Sequence, residues 1–128
     1  AVDFYKKHPD AFIVNESGIP DVPERVHWET EFARRVGVPE AYDYGPQRVS
    51  WLCQVVTNWI GDDGFIREFW GEVRRHNLNG DTTWLKGTVS GKRREGLRAL
   101  VDLELWGNDQ RGERTIRGGA TVVLPSRD

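Results

Sequence analysis

After a loop-rich front, hydrophobic positions follow a helical spacing in two stretches between Trp28 and Ile60 and a strand spacing after Gly64. In HWETEFARRVG, Trp28, Phe32 and Val36 recur every fourth residue with Ala33 beside them, which predicts a short amphipathic helix with its charges on the far side. Glu29 and Glu31 in its first turn and Arg34 and Arg35 in its last complement the helix dipole, and Gly37 is its stop. A longer helix is predicted from Gly45-Pro46 to Ile60, opened by a proline suited to a first turn and closed by Gly61 and Gly64. Val49, Trp51, Leu52, Cys53, Val55, Val56, Trp59 and Ile60 cover most of its circumference, so it is expected to be buried on nearly all sides. Gln47, Ser50, Gln54 and Thr57 form its one polar stripe.

Strands are predicted in FIREFWGEVRR, with a bulge near Gly71, and from Trp84 to Ser90. Two more follow, in which Ala99, Val101, Leu103 and Leu105, and then Ile116, Gly118, Ala120, Val122 and Leu124, each share one face. GKRREG and GNDQRGE read as the turns of antiparallel hairpins, and NESGIPDVPERV before the first helix reads as an extended loop. A helix apolar nearly all round, followed by several long strands, is best satisfied when the sheet curls around it. The expectation is an α+β fold in one domain spanning residues 1–128, a long central helix wrapped by a curved antiparallel sheet.

Composition narrows the function classes. At 38% hydrophobic residues with six tryptophans, the chain can build a core without disulfides or a structural metal. The formal charge of −2, from 18 basic and 20 acidic residues intermixed, offers no broad positive field for nucleic acid. No stretch approaches the ~18 apolar residues that span a bilayer, and the charged start AVDFYKK does not read as a secretory signal. One cysteine, Cys53, and three scattered histidines give no zinc-type spacing, so no metal and a reducing, cytoplasmic setting are expected.

The stretch VHWETEFARRVGVPEAYDYGPQRVSWL resembles the MaoC-like segment of histidine, short helix and glycine before the central helix. Its landmarks occur in order: His27, Ala33, Gly37 and Gly45, and later Gly80-Asp81 resembles the family's glycine-aspartate at a strand start. The resemblance implies the hot-dog fold and hydration of a trans-2-enoyl-CoA thioester, or the reverse dehydration of a 3-hydroxyacyl-CoA. It implies no cofactor besides the coenzyme A of the substrate, and a homodimer or a heteromer with another hot-dog domain. Family members use the histidine with an aspartate five residues earlier to activate water, which gives His27 that role. The earlier position here is Val22, and Asp21 or Glu24 stands as the substitute. Gly45, at a helix entrance, is expected to hold the thioester oxygen with its amide as negative charge collects there. Tyr44 and Arg48 flank it and are weaker candidates for the substrate pocket, against solvent exposure or packing.

Other readings stay open. His27 could simply cap helix amides. The polar stripe of the long helix could border an acyl tunnel, a partner subunit or only solvent. Arg74-Arg75 and Lys92-Arg93-Arg94 could meet coenzyme A phosphates, though hairpin charges are mostly solvated. Asp62-Asp63 reads as a turn, and His8 and His76 as surface residues. A non-catalytic hot-dog partner is the first alternative to the hydratase, given Val22. A thioesterase is the second, weakened because Pro46 to Ile60 carries no carboxylate, with Asp43 keeping the option open.

Overall fold

The computed structural model describes residues 7–8, 13–14, 17–21 and 23–125, which fall in two compact units, Ala1–Tyr42 and Asp43–Asp128. In the first unit, β1 (Ile13–Val14) pairs antiparallel with β2 (Pro20–Asp21), and a 3-10 helix runs over Pro23–His27. The segment expected as an extended loop therefore carries two short regular elements. Prolines at both starts account for this, since a fixed φ suits the beginning of a strand or of a 3-10 turn. Helix α1 (Thr30–Arg35) follows and buries Phe32 and Ala33, but it is shorter than its spacing predicts: Trp28 and Val36, expected on the same apolar face, lie outside it and are exposed. The Arg25 guanidinium lies 4.0 Å over the Phe32 ring and is held by the Glu29 carboxylate at 2.7 and 2.5 Å.

The second unit begins with α2 (Gly45–Ile60), continues through β3 (Phe65–Val73), β4 (Thr83–Glu95), β5 (Arg98–Asp109) and β6 (Arg114–Leu124), and is antiparallel throughout. The sheet order is β3-β6-β5-β4. Leu52 and Val56 of α2, one helical turn apart, enter a core made by Val101, Leu103 and Leu105 of β5 and Ile116, Ala120 and Val122 of β6. Although β3 and β4 are opposite edges of the sheet, Arg67 of β3 reaches Glu95 of β4 at 2.6 Å. A flat sheet would hold those edges about 14 Å apart, so the contact marks the curl around the helix.

The bulge expected near Gly71 lies instead between Ile66 and Glu68. Gly71 has a different purpose. It pairs with Gly118, and a Cβ at Gly71 would sit 3.2 Å from Val49, while one at Gly118 would sit 2.8 Å from Leu52 and 2.4 Å from the Trp70 carbonyl oxygen. The two glycines form the saddle on which α2 rests.

Strand β4 also runs further than expected, through the basic run Lys92–Arg94, and turns only at Gly96, where φ is +61°. Cross-strand pairing explains the extension: Arg93 bonds the Asp102 carboxylate, so these charges serve a ladder rather than a turn. Burial of α2 is narrower than its apolar circumference predicts. Only Arg48, Leu52 and Val56 are buried, Trp51 and Val55 are half-buried, and Trp59 is 50% exposed. Among the described residues no helix is long and apolar enough to cross a membrane.

Candidate active site

His27 closes the 3-10 helix, half-buried, and its ring stands edge-on to Tyr42 with centroids 5.0 Å apart. Nδ1 lies 2.9 Å from the Tyr42 carbonyl oxygen. A carbonyl only accepts, so Nδ1 carries the proton, and in the neutral ring Nε2 holds the lone pair. That is the tautomer a general base needs. The amide of Tyr42 donates back to the Val26 carbonyl at 3.3 Å, which ties the acceptor to the segment carrying the histidine. The residue entering α1 is Glu29, and no side-chain cap bond forms there. Asp21 has its backbone in β2 opposite Ile13, while its carboxylate and all of Val22 lie outside the described residues. Glu24 is exposed.

At the entrance of α2, Tyr44 occupies the cap position, is 50% exposed and makes no side-chain cap bond. Gly45 packs close to Val73, with 3.6 Å available to an added Cβ. The helix behind it has 16 residues, long enough for a full dipole whose positive end favours developing negative charge. Arg48 is 1% exposed, neither at the surface nor reaching into solvent. Its guanidinium forms a two-pronged pair with Asp43 and donates to the Arg75 carbonyl at 2.5 Å and the Thr115 carbonyl at 3.1 Å. These bonds fix the first turn of α2 against β6 and the segment that follows β3.

Beside this entrance lies a cavity of about 370 Å³, lined by Asp43, Trp51, Asn77, Gly80, Asp81 and Leu85 among others. Asn77 is buried, donates to Thr83 Oγ1 at 2.7 Å and accepts Asp43 N–H on its main-chain oxygen. Nothing in the sequence pattern marked it. Gly80-Asp81 precedes β4, as the resemblance implies. The Asp81 carboxylate accepts from the Leu78 amide, Gln110 and Arg111. The Arg111 guanidinium, aided by those other donors and opposed by burial, holds that carboxyl well below the usual range. A smaller apolar cavity of about 120 Å³ separates Val55, Val56 and Trp59 of α2 from Gly87 and Val89 of β4.

The remaining sequence candidates lie at the surface. Gln47, Ser50, Gln54 and Thr57 are exposed, as are Asp62, Asp63, His8 and His76. Arg74 pairs with Glu72, and Arg75 with Glu113 at 3.5 Å. No group of three or more His, Cys, Asp or Glu side chains converges among the described residues.

No family model matches the chain, and neither does any curated protein. Solved structures do. A MaoC-like dehydratase from Rhodospirillum rubrum superposes with a TM-score of 0.71 at 20% identity, covering 83% of this chain and 77% of that one. The (R)-hydratase of A. caviae involved in PHA biosynthesis gives 0.70 at 18% identity, with 79% and 76% covered. One chain of the ChsH1-ChsH2 complex from Mycobacterium tuberculosis gives 0.68 at 17%, with 78% and 75% covered. The curled four-stranded sheet on a central helix is the hot-dog fold, in the form shared with MaoC-like dehydratases and (R)-hydratases.

Proposed function

We propose that the protein adds water to a trans-2-enoyl-CoA thioester, or removes it from the 3-hydroxyacyl-CoA in reverse. Nε2 of His27 takes a proton from water while the oxygen bonds to the β-carbon. The double-bond electrons move toward the thioester oxygen, where the Gly45 amide at the positive end of α2 stabilises the enolate, and the α-carbon then takes up the proton held at Nε2, which returns His27 to its neutral form. The observation that carries the reading is the Nδ1 contact with the Tyr42 carbonyl, because it fixes the tautomer with Nε2 as the base. In this scheme Asp21 assists from the family's aspartate role, and the main-chain oxygen supplies orientation that Val22 lacks. Tyr44 lines the entrance, while Arg48 acts only by holding the helix start.

Loss of conjugated enoyl absorbance with several trans-2-enoyl-CoAs tests the proposal. His27→Ala is expected to lower kcat by at least ~10²-fold. Retention of turnover in that variant refutes the scheme. A second reading, a silent subunit completed by another hot-dog domain, is favoured by Val22 and by the fold shared with a chain of the ChsH1-ChsH2 complex. It requires turnover only after a partner is added. Asp43 offers no thioesterase carboxylate, since Arg48 engages both of its oxygens.

A further inference from the structure

Four arginines converge at the end of the sheet where α2 begins. Arg74 and Arg75 directly follow β3, Arg114 opens β6, and Arg117 lies further along the same strand. Together they line an open basin of about 590 Å³, with Glu113 as the one acid in its wall. Main-chain bonds fix the frame. The Arg74 and Arg75 amides both donate to the Thr115 carbonyl, at 2.8 and 3.3 Å, and buried Arg48 donates to the Arg75 and Thr115 carbonyls from the helix side. The basic side chains therefore start from a braced backbone, which lowers the cost of ordering them around a ligand.

Their charge is only partly answered within the chain. Arg74 and Arg117 share Glu72, and exposed Arg75 meets exposed Glu113 at 3.5 Å. Arg114 has no carboxylate partner among the described residues and lies 5.4 Å over the Trp106 ring. Four guanidiniums thus face two carboxylates, a local positive surplus in a chain whose net charge is −2. Planar guanidinium forks match phosphate oxygens two at a time, so the basin suits a ligand carrying several phosphates.

The basin also lies close to the α2 entrance. Val73, immediately before Arg74, is the residue against which Gly45 packs, 3.6 Å from an added Cβ. Arg75 is two residues beyond Val73, at most about 7 Å of chain. Coenzyme A carries a diphosphate and a further ribose phosphate at the end of a pantetheine arm, whose backbone is as long as about four extended residues, roughly 14 Å. A thioester held at the Gly45 amide can therefore bring its phosphates to these arginines.

We infer that the arginine basin binds the phosphate-bearing nucleotide of the thioester carrier. The identity of the carrier rests on the hydration reading, whereas the affinity for a multiply phosphorylated nucleotide rests on the arginines alone.

Calorimetric titration with coenzyme A and with pantetheine tests it on wild type, Arg75→Glu, Arg114→Glu and Lys92→Glu, with circular dichroism verifying each fold. Wild type is expected to bind coenzyme A at least ~10-fold more tightly than pantetheine, and both arginine variants to lose most of that preference. Lys92→Glu, an equal charge change on β4, should keep it. A wild type without the preference, or arginine variants that retain it, overturns the inference. So does an equal loss in Lys92→Glu, since the attraction would then be the chain's overall charge. Inorganic pyrophosphate binding as tightly as coenzyme A overturns the assignment to the carrier, because free phosphates would then satisfy the site. Enoyl thioesters of both carriers separate the two readings: no turnover with either, alongside an intact coenzyme A preference, refutes hydration and leaves the nucleotide site standing.

Discussion

Replacing Arg48 separates a structural arginine from a substrate-binding one. The guanidinium is 1% exposed, while its partner Asp43 keeps 12% of its side chain in contact with solvent. Arg48→Met keeps the aliphatic stem and removes four donated bonds, two to the carboxylate and one each to the Arg75 and Thr115 carbonyls. Breaking a buried pair from one side costs about 3–5 kcal/mol, within which each abandoned acceptor accounts for about 1–3. At this chain length that is a fall in Tm of about 10–20 °C. Urea unfolding followed by tryptophan fluorescence gives the free energy directly. Asp43→Asn combined with Arg48→Met is expected to lose less than the two single losses added together, because it strands no charge. A single variant within about 1 kcal/mol of wild type refutes the structural role. So does a variant of unchanged stability that no longer turns over substrate, which would return Arg48 to the pocket.

Asp21→Asn is expected to lower kcat by no more than about tenfold, far less than His27→Ala, because the Tyr42 carbonyl still holds Nδ1; steady-state kinetics compares the two. Gly118→Ala should cost about 1–3 kcal/mol in urea unfolding, since the new methyl meets the Trp70 carbonyl and Leu52. Leu52→Ala, at a position with 0% exposure, should cost about 2–5 kcal/mol in the same assay. Asp81 is held ionised when folded, so its contribution is complete above about pH 4 and fades as pH falls and the unfolded chain binds the proton first. Asp81→Asn should therefore be less stable than wild type at pH 7, with the gap narrowing in acid unfolding curves.

The sheet and its helix were legible because burial leaves a period. Val101, Leu103 and Leu105 alternate, Leu52 and Val56 lie one turn apart, and Pro46 and Gly61 bound the helix they were expected to bound. Misreadings arose where one residue type serves two purposes. Gly71 fits a bulge or a close helix approach, and only the position of Val49 decides for the second. Lys92–Arg94 fits a solvated turn until Asp102 and Thr121 appear across the ladder to extend it. The breadth of apolar residues on α2 overstated its burial, since Trp59 stays 50% exposed and only Arg48, Leu52 and Val56 are buried.

The site was legible only as residue types in order. His27, Gly45 and Gly80-Asp81 are landmarks because their side chains, or the lack of one, differ from their neighbours'. The group that sets the imidazole's tautomer is a main-chain oxygen, and every residue has one. A carbonyl becomes specific through the path of the backbone, here the return of the chain from Val26 to Tyr42, where the amide pairs at 3.3 Å and the oxygen turns to Nδ1. In the proposed hydration, a missing aspartate at Val22 therefore weakens the base less than a motif comparison implies, because a neutral acceptor still orients the ring. What it removes is a negative charge beside the imidazolium formed by proton transfer, the role the proposed scheme gives to Asp21. The cost should appear in kcat, where the charged ring forms, and not in KM.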